Sequence, residues 1–349
     1  MKKYIILLFS VVAYFSCKKD PKVIDSNSNF NATPYEYKVP LGLNKVPVPA
    51  DNPLTVEGVY LGRMLFYEKQ LSANNTQSCA SCHLQNRFMN DSLRFSVGID
   101  GIFGKRNAMP LFNVGYATSF FWDGGAPTLE KQALDPILNP IEMHNTMENV
   151  ISKLKADAKY PTLFSKAFGS EEINTTRVLK AIAQFERTIL SGNSKFDLWH
   201  NGLATFTESE YRGYELFLNN DKGDCFHCHT LGGYFTDFEF RNNGLDSIPV
   251  DLGRARITHN PLDEGKFKTP TLRNIEFTAP YMHDGRFNTL EEVVQHYNKN
   301  FYYTQNLDPL IQVIPKNRLS LAEVQDLISF LKTLTDTSFI NNPAYSDPN

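Results

Sequence analysis

Two short patterns constrain this chain more than anything else in it: Cys79-Ala-Ser-Cys82-His83 and Cys225-Phe-His-Cys228-His229. Cys-x-x-Cys-His is the attachment motif of c-type heme. The spacing follows from the cofactor: two thiols must reach two vinyl groups on one porphyrin edge, and the adjacent His must turn beneath the iron as proximal ligand. Disulfide, zinc or redox uses of a Cys pair leave a His directly after both pairs unexplained. The chain is therefore expected to wrap two covalently bound hemes c. Of its five cysteines only Cys17 lies outside these motifs.

The same framework surrounds each motif. Upstream, Tyr60-Leu-Gly62-Arg-Met-Leu65-Phe66 parallels Tyr211-Arg-Gly213-Tyr-Glu-Leu216-Phe217. Downstream, Trp122-Asp123-Gly124 followed after three residues by Thr128-Leu129-Glu130 parallels His283-Asp284-Gly285 followed after three by Thr289-Leu290-Glu291. Pro110 to Asn113 echoes Pro270 to Asn274 more loosely. Thr207 with Glu210, and Ser320 with Glu323, read as capping boxes that open helices. Thr128 and Thr289 read as N-caps with acidic residues in the first turn. Val178, Ile182, Phe185 and Ile189 recur at helical spacing between Thr175 and Leu190, and Leu321, Val324, Leu327, Ile328 and Leu331 do so before Leu334. Both sets are expected to be core. The expected fold is all-α: two cytochrome c-like heme domains in tandem, related by internal repeat, over residues 50–203 and 204–340.

Lys2 and Lys3 precede an apolar run from Tyr4 to Phe15, too short to span a membrane and suited to a signal peptide. Ser16-Cys17 then resembles a lipoprotein cleavage site, giving a signal over residues 1–17 and a lipid on Cys17; cleavage nearby as an ordinary signal peptide is the other reading. Export fits heme attachment and points to a periplasmic, lipid-anchored protein. Residues 18–49 are rich in Asn, Ser and Pro and read as a flexible tether leading into an irregular stretch. A formal net charge of -3 without a basic block argues against nucleic acid as a partner.

The copies diverge where chemistry would sit. Fourteen residues after Trp122 stands Pro136; fourteen after His283 stands Tyr297. Tyr can ligate ferric iron, whereas a Pro side chain has no donor atom. If both positions face their hemes, the second iron is closed and the first is open. Gln132, one helical turn before Pro136, and Glu142, in Asn139-Pro140-Ile141-Glu142-Met143, supply polar groups near the open iron, where the second copy has Val293 in place of Gln132. A carboxylate there can carry a proton between peroxide oxygens, and an amide can hold peroxide in line without titrating. Glu142 also reads as an ordinary surface carboxylate.

These residues resemble the bacterial diheme cytochrome c peroxidase family, which includes MauG, the diheme enzyme that matures methylamine dehydrogenase. The resemblance runs from about Leu54 to Leu334. It is carried by Arg106-Asn107 before Pro110, Phe121-Trp122-Asp123-Gly124, Gln132-Ala133-Leu134, Asn139-Pro140-Ile141-Glu142-Met143, Pro270-Thr271-Leu272-Arg273-Asn274 and Pro280-Tyr281-Met282-His283-Asp284-Gly285. It implies that His83 is the proximal ligand of a peroxide-reducing heme, with Gln132 and Glu142 as the distal pair and Glu142 as acid–base. It implies His229 as the proximal ligand of an electron-transferring heme and Trp122 as a relay between the two, against the plainer reading of an aromatic packed on porphyrin. Asn107, Thr278 and Pro280 match the family's calcium site, the last two through backbone carbonyls.

Two departures stand out. Classical members carry a His in the loop after the first heme, where this chain has Ser96-Val-Gly98-Ile99-Asp100-Gly101. The first heme is thus expected to be open even when oxidised. Classical members have Met where Tyr297 stands, and MauG has Tyr; phenolate favours ferric and thioether ferrous iron. Met282 is the rival ligand. The expected function is reduction of hydrogen peroxide with electrons from a cytochrome c or a small copper protein (a cupredoxin). The alternatives are a MauG-like oxidase that modifies a partner protein and a non-catalytic diheme electron carrier. Relatives often form homodimers, which nothing in the residues themselves addresses.

Overall fold

A computed structural model describes residues 30–348. The segment expected to be a signal peptide, with Cys17, lies outside the described residues. From Ala32 onward the chain packs as one compact unit. Eleven α-helices carry its described part: α1 Val56–Phe66, α2 Leu129–Leu138, α3 Met147–Ala156, α4 Lys159–Phe168, α5 Thr175–Glu186, α6 Lys195–His200, α7 Glu208–Leu218, α8 Ala255–Thr258, α9 Leu290–Gln295, α10 Pro309–Gln312 and α11 Leu321–Lys332. A small antiparallel ribbon, β1 Phe240–Arg241 with β2 Phe267–Lys268, is the departure from an all-helical reading. Two-residue strands leave no hydrophobic alternation to find in the sequence.

The caps form where the residues call for them. Thr128 accepts from the Lys131 amide, and Thr207–Glu210, Thr289–Glu292 and Ser320–Glu323 close reciprocal capping boxes. Two helix crossings then set the frame. α1 packs on α5 and α7 on α11. At Gly62 an added Cβ would lie 1.9 Å from the Ala181 carbonyl oxygen; at Gly213 it would lie 2.0 Å from that of Asp326. Each Gly also sits against the Cβ of an aromatic residue, Phe185 or Phe330. The chain has glycine at these positions because the facing backbone occupies the space a side chain would need.

One buried cluster gathers residues of α1 to α5, among them Leu61, Leu65, Val150, Phe164, Val178 and Ile182. A second gathers α7, α9 and α11 through Phe217, Val294, Val324, Leu327 and Phe330. The helix expected to reach Leu190 ends at Glu186, yet Ile189 remains fully buried just beyond it. Leu321 is not core: it is 72% exposed, because the first helical residue after the Ser320 cap points outward, while Val324, Leu327, Ile328 and Leu331 turn inward. The described end of the lead-in lies against the body. The Gly42 amide donates to the Gly192 carbonyl at 3.1 Å, and Val46 and Asn52 are buried.

Gly62→Ala and Gly213→Ala should each destabilise the protein by about 1–3 kcal/mol or more through overpacking. Chemical unfolding of the purified protein checks this; unchanged midpoints would mean that the crossings are looser than described.

Candidate active site

Each heme motif closes a single turn. The His83 amide donates to the Cys79 carbonyl at 3.1 Å, and the His229 amide to the Cys225 carbonyl at 2.9 Å. This brings both thiols and the imidazole to one end of the turn. In both motifs a backbone carbonyl six residues on fixes the ring: Nδ1–H of His83 donates to Met89 (3.2 Å) and Nδ1–H of His229 to Phe235 (3.1 Å). A carbonyl can only accept, so Nδ1 carries the proton and Nε2 keeps its lone pair for a metal. Met89 and Phe235 both take left-handed backbone, at φ 55° and 51°. Burial pushes His229 down to about 4, which keeps it neutral. All four thiols are free of disulfides, and no cluster of three or more His, Cys, Asp or Glu suited to a bare metal ion occurs among the described residues. Two free thiols and an oriented neutral imidazole per turn fit a covalently held heme at each motif.

Glu142 stands near the first motif. Its carboxyl is largely shielded, and burial raises its pKa, with Asp135 adding to the rise. Asn139 Nδ2 donates to Glu142 Oε1 at 2.7 Å and opposes it. The Glu142 charge reaches the thiols of both Cys79 and Cys82. Gln132 and Pro136 are half-buried and one turn apart on α2. The Met143 amide donates to the Pro136 carbonyl at 3.1 Å, folding the Glu142 segment back onto that helix. The loop from Ser96 to Gly101 lies on the same segment: the Ile99 amide donates to the Glu142 carbonyl at 2.9 Å, and a Cβ at Gly98 would lie 2.1 Å from the Ile141 carbonyl oxygen. Asp100 pairs with His144 at 2.5 Å across this contact. Near Cys79, on the α5 side, the Glu186 carboxyl is buried with Oε2 unpartnered; burial pushes it up to about 8, against Arg187 and with Glu130.

The second motif has different company. Tyr297 lies in a π-helical turn, His296–Asn300, a local irregularity that often marks functional sites. Its hydroxyl is shielded from solvent, which pushes it up to about 12. The Cys228 and Cys225 thiols add to that rise. Asn243 Nδ2 donates to Tyr297 Oη at 3.1 Å and approaches Met282 Sδ at 3.5 Å, so the two candidate ligands converge on one amide.

A chain of hydrogen bonds ties Trp122 to the His283 segment. Trp122 Nε1–H donates to the Asn107 carbonyl (2.8 Å), and the Asn107 amide donates to the His283 carbonyl (2.8 Å). The Lys268 amide of β2 donates to the Trp122 carbonyl, also at 2.8 Å. Arg106 bridges Asp123 and Asp251, each at 2.6 Å, beside it. Asn107 Nδ2 donates to the Leu93 and Arg94 carbonyls, leaving Oδ1 as its atom for a cation. Thr278 and Pro280 are buried, with a cis Ala279–Pro280 bond between them, and follow in the chain toward His283. Asn139, Asn243 and Glu186 were not singled out from the sequence. Asn139 stood inside a quoted motif, three residues before the carboxylate it holds. Glu186 sat inside an apolar helix pattern, and Asn243 had no signal at all.

Residues 56–205 match the family of di-haem cytochrome c peroxidases. The methylamine utilization protein MauG of Methylorubrum extorquens is 39% identical, covering 83% of this chain and 81% of its own length. The cytochrome c551 peroxidase of Nitrosomonas europaea is 35% identical, covering 83% of each chain. The crystal structure of a MauG-like protein associated with microbial copper homeostasis superposes with a TM-score of 0.83 at 35% identity, over 90% of this chain and 99% of that one. The chain belongs to the di-haem cytochrome c peroxidase family.

The Glu186 carboxyl keeps its proton to about pH 8 when folded, whereas the unfolded chain releases it near ~4.3. Between these values the folded state binds one more proton, so stability falls as pH rises. Glu186→Gln should remove that slope, and its thermal midpoint relative to wild type should climb from pH 5 to pH 8. Parallel profiles would contradict the burial of a protonated acid.

Proposed function

We propose that this member of the family is a hydrogen peroxide reductase with two heme c domains in tandem, the first peroxidatic and the second electron-transferring, fed by a cytochrome c or a small copper protein. The observation that carries this reading is Glu142, a half-buried carboxyl with a raised pKa, held by Asn139 and close enough to the first heme motif for its charge to act on Cys79 and Cys82. When bound, the hemes supply an iron for peroxide on one side and an electron store on the other. Gln132 would hold the peroxide through its amide, and Pro136 leaves that face without a protein ligand. With Glu142 Oε1 held by Asn139, Oε2 is the oxygen left to take a proton from one peroxide oxygen and deliver it to the other, so that water departs. Trp122, tied through Asn107 to the His283 segment, would relay electrons between the halves. Asn107 Oδ1 with the Thr278 and Pro280 carbonyls would hold calcium. Export and a lipid on Cys17 would place the enzyme in the periplasm at a membrane.

A MauG-like oxidation of a partner protein is the second reading. The Ser96–Gly101 segment without a His and the shielded Tyr297 favour it, as does similarity to MauG itself. A plain electron carrier would need both irons closed, against which Pro136, Gln132 and Glu142 argue.

Electron paramagnetic resonance of the oxidised protein should give one high-spin and one low-spin ferric signal, both lost with stoichiometric peroxide. Two low-spin signals indifferent to peroxide would leave the carrier. Glu142→Gln should lower peroxide turnover about 10²–10⁴-fold with both ferric signals retained. Turnover with reduced cytochrome c or cupredoxin separates the peroxidase from the oxidase: peroxide consumed without oxidation of either donor would favour the oxidase.

A further inference from the structure

We propose that Asn243 is a positioning residue that selects the sixth ligand of the second heme, presenting Tyr297 and restraining Met282. This rests on the reading above that one of these two side chains closes that iron. The side-chain contacts recorded for Asn243 go to the two candidate ligands: Nδ2 donates to Tyr297 Oη at 3.1 Å and to Met282 Sδ at 3.5 Å. An asparagine with a purely structural role would satisfy neighbouring backbone with this amide, as Asn242 does by donating to the Glu264 carbonyl and accepting from the Gly244 amide.

Asn243 is itself anchored. His296 Nε2–H donates to its carbonyl at 3.0 Å, and the His296 ring meets the Tyr297 ring edge-on at 5.1 Å. The imidazole that pins Asn243 thus also braces the phenol. On the other side, Met282 takes left-handed backbone at φ 73°, uncommon for a non-glycine residue, and its thioether lies 3.5 Å from the same amide.

The chemistry of the two acceptors decides the preference. A phenolic oxygen is a good acceptor and a thioether sulfur a weak one. A donor shared between them favours the oxygen, and favours it more as negative charge gathers there on metal binding. Removing the N–H donor should therefore release Met282 to compete. The inference concerns ligand choice at one heme and leaves the first heme as an internal control.

The test is electron paramagnetic resonance and near-infrared magnetic circular dichroism of the ferric holoprotein. Wild type should show phenolate ligation at the second heme, unchanged in Met282→Leu and lost in Tyr297→Phe. N243L should show the charge-transfer band of a thioether ligand, and that band should vanish in N243L/M282L. N243D, nearly identical in size and keeping the backbone bond to His296, should move the same way, so that a folding defect in N243L does not decide the matter. A wild-type phenolate spectrum persisting in both Asn243 variants overturns the proposal, as does thioether ligation in wild type. If Y297F, M282L and their double variant all leave the second heme's spectrum unchanged, neither side chain is a ligand. The reading beneath the proposal then fails together with it.

Discussion

The close crossing of two helix pairs, with backbone against glycine at Gly62 and Gly213, is the constraint on which the rest depends. Each crossing lets a helix lie directly on its partner, so that the turn that follows carries its Cys and His at a set height over the core. Phe185 and Phe330 fill equivalent places against these glycines, and the chain then leaves each motif through a left-handed residue whose carbonyl fixes the proximal imidazole. The backbone geometry around the two hemes is thus nearly the same. Differences between the sites must come from what the side chains do on the opposite face.

The surroundings of the two motifs are built by distinct devices. At the first, the 139–143 turn folds onto α2 through the Met143–Pro136 bond, and the Ser96–Gly101 loop is fastened to that turn by the Ile99–Glu142 backbone bond and beside it by the Asp100–His144 pair. Gly98 packs so tightly on Ile141 that a side chain there would have to displace the turn. The loop therefore braces Glu142. At the second, a π-helical turn carries both His296, whose ring donates to the Asn243 backbone carbonyl, and Tyr297, whose hydroxyl accepts from the Asn243 side chain.

The last residues join the frame as well. Gln85, two residues after His83, donates to the carbonyls of Phe339 and Asn342, each at 2.9 Å, and Phe339 packs on Phe88 and Phe112. The loop whose Met89 carbonyl orients the first imidazole is thus clamped by the end of the chain. The loop after the first motif is held from some two hundred and fifty residues away, whereas the 139–143 turn is held by α2 just before it and by the Ser96–Gly101 loop.

The heme motifs, the paired caps and the two glycine helices were legible because each is a local pattern imposed by covalent or hydrogen-bond geometry. The contrast between Pro136 and Tyr297 comes from aligning the two halves of the sequence on each other. Leu321 misled because helical spacing marks a stripe and not where the stripe begins. Asn243, Asn139 and Glu186 stayed hidden for a different reason. What makes each important is its partner: Asn243 meets residues 39 and 54 positions away, and Glu186 matters because it lacks one. Periodicity reports which face a residue occupies, and only the fold reports what stands opposite.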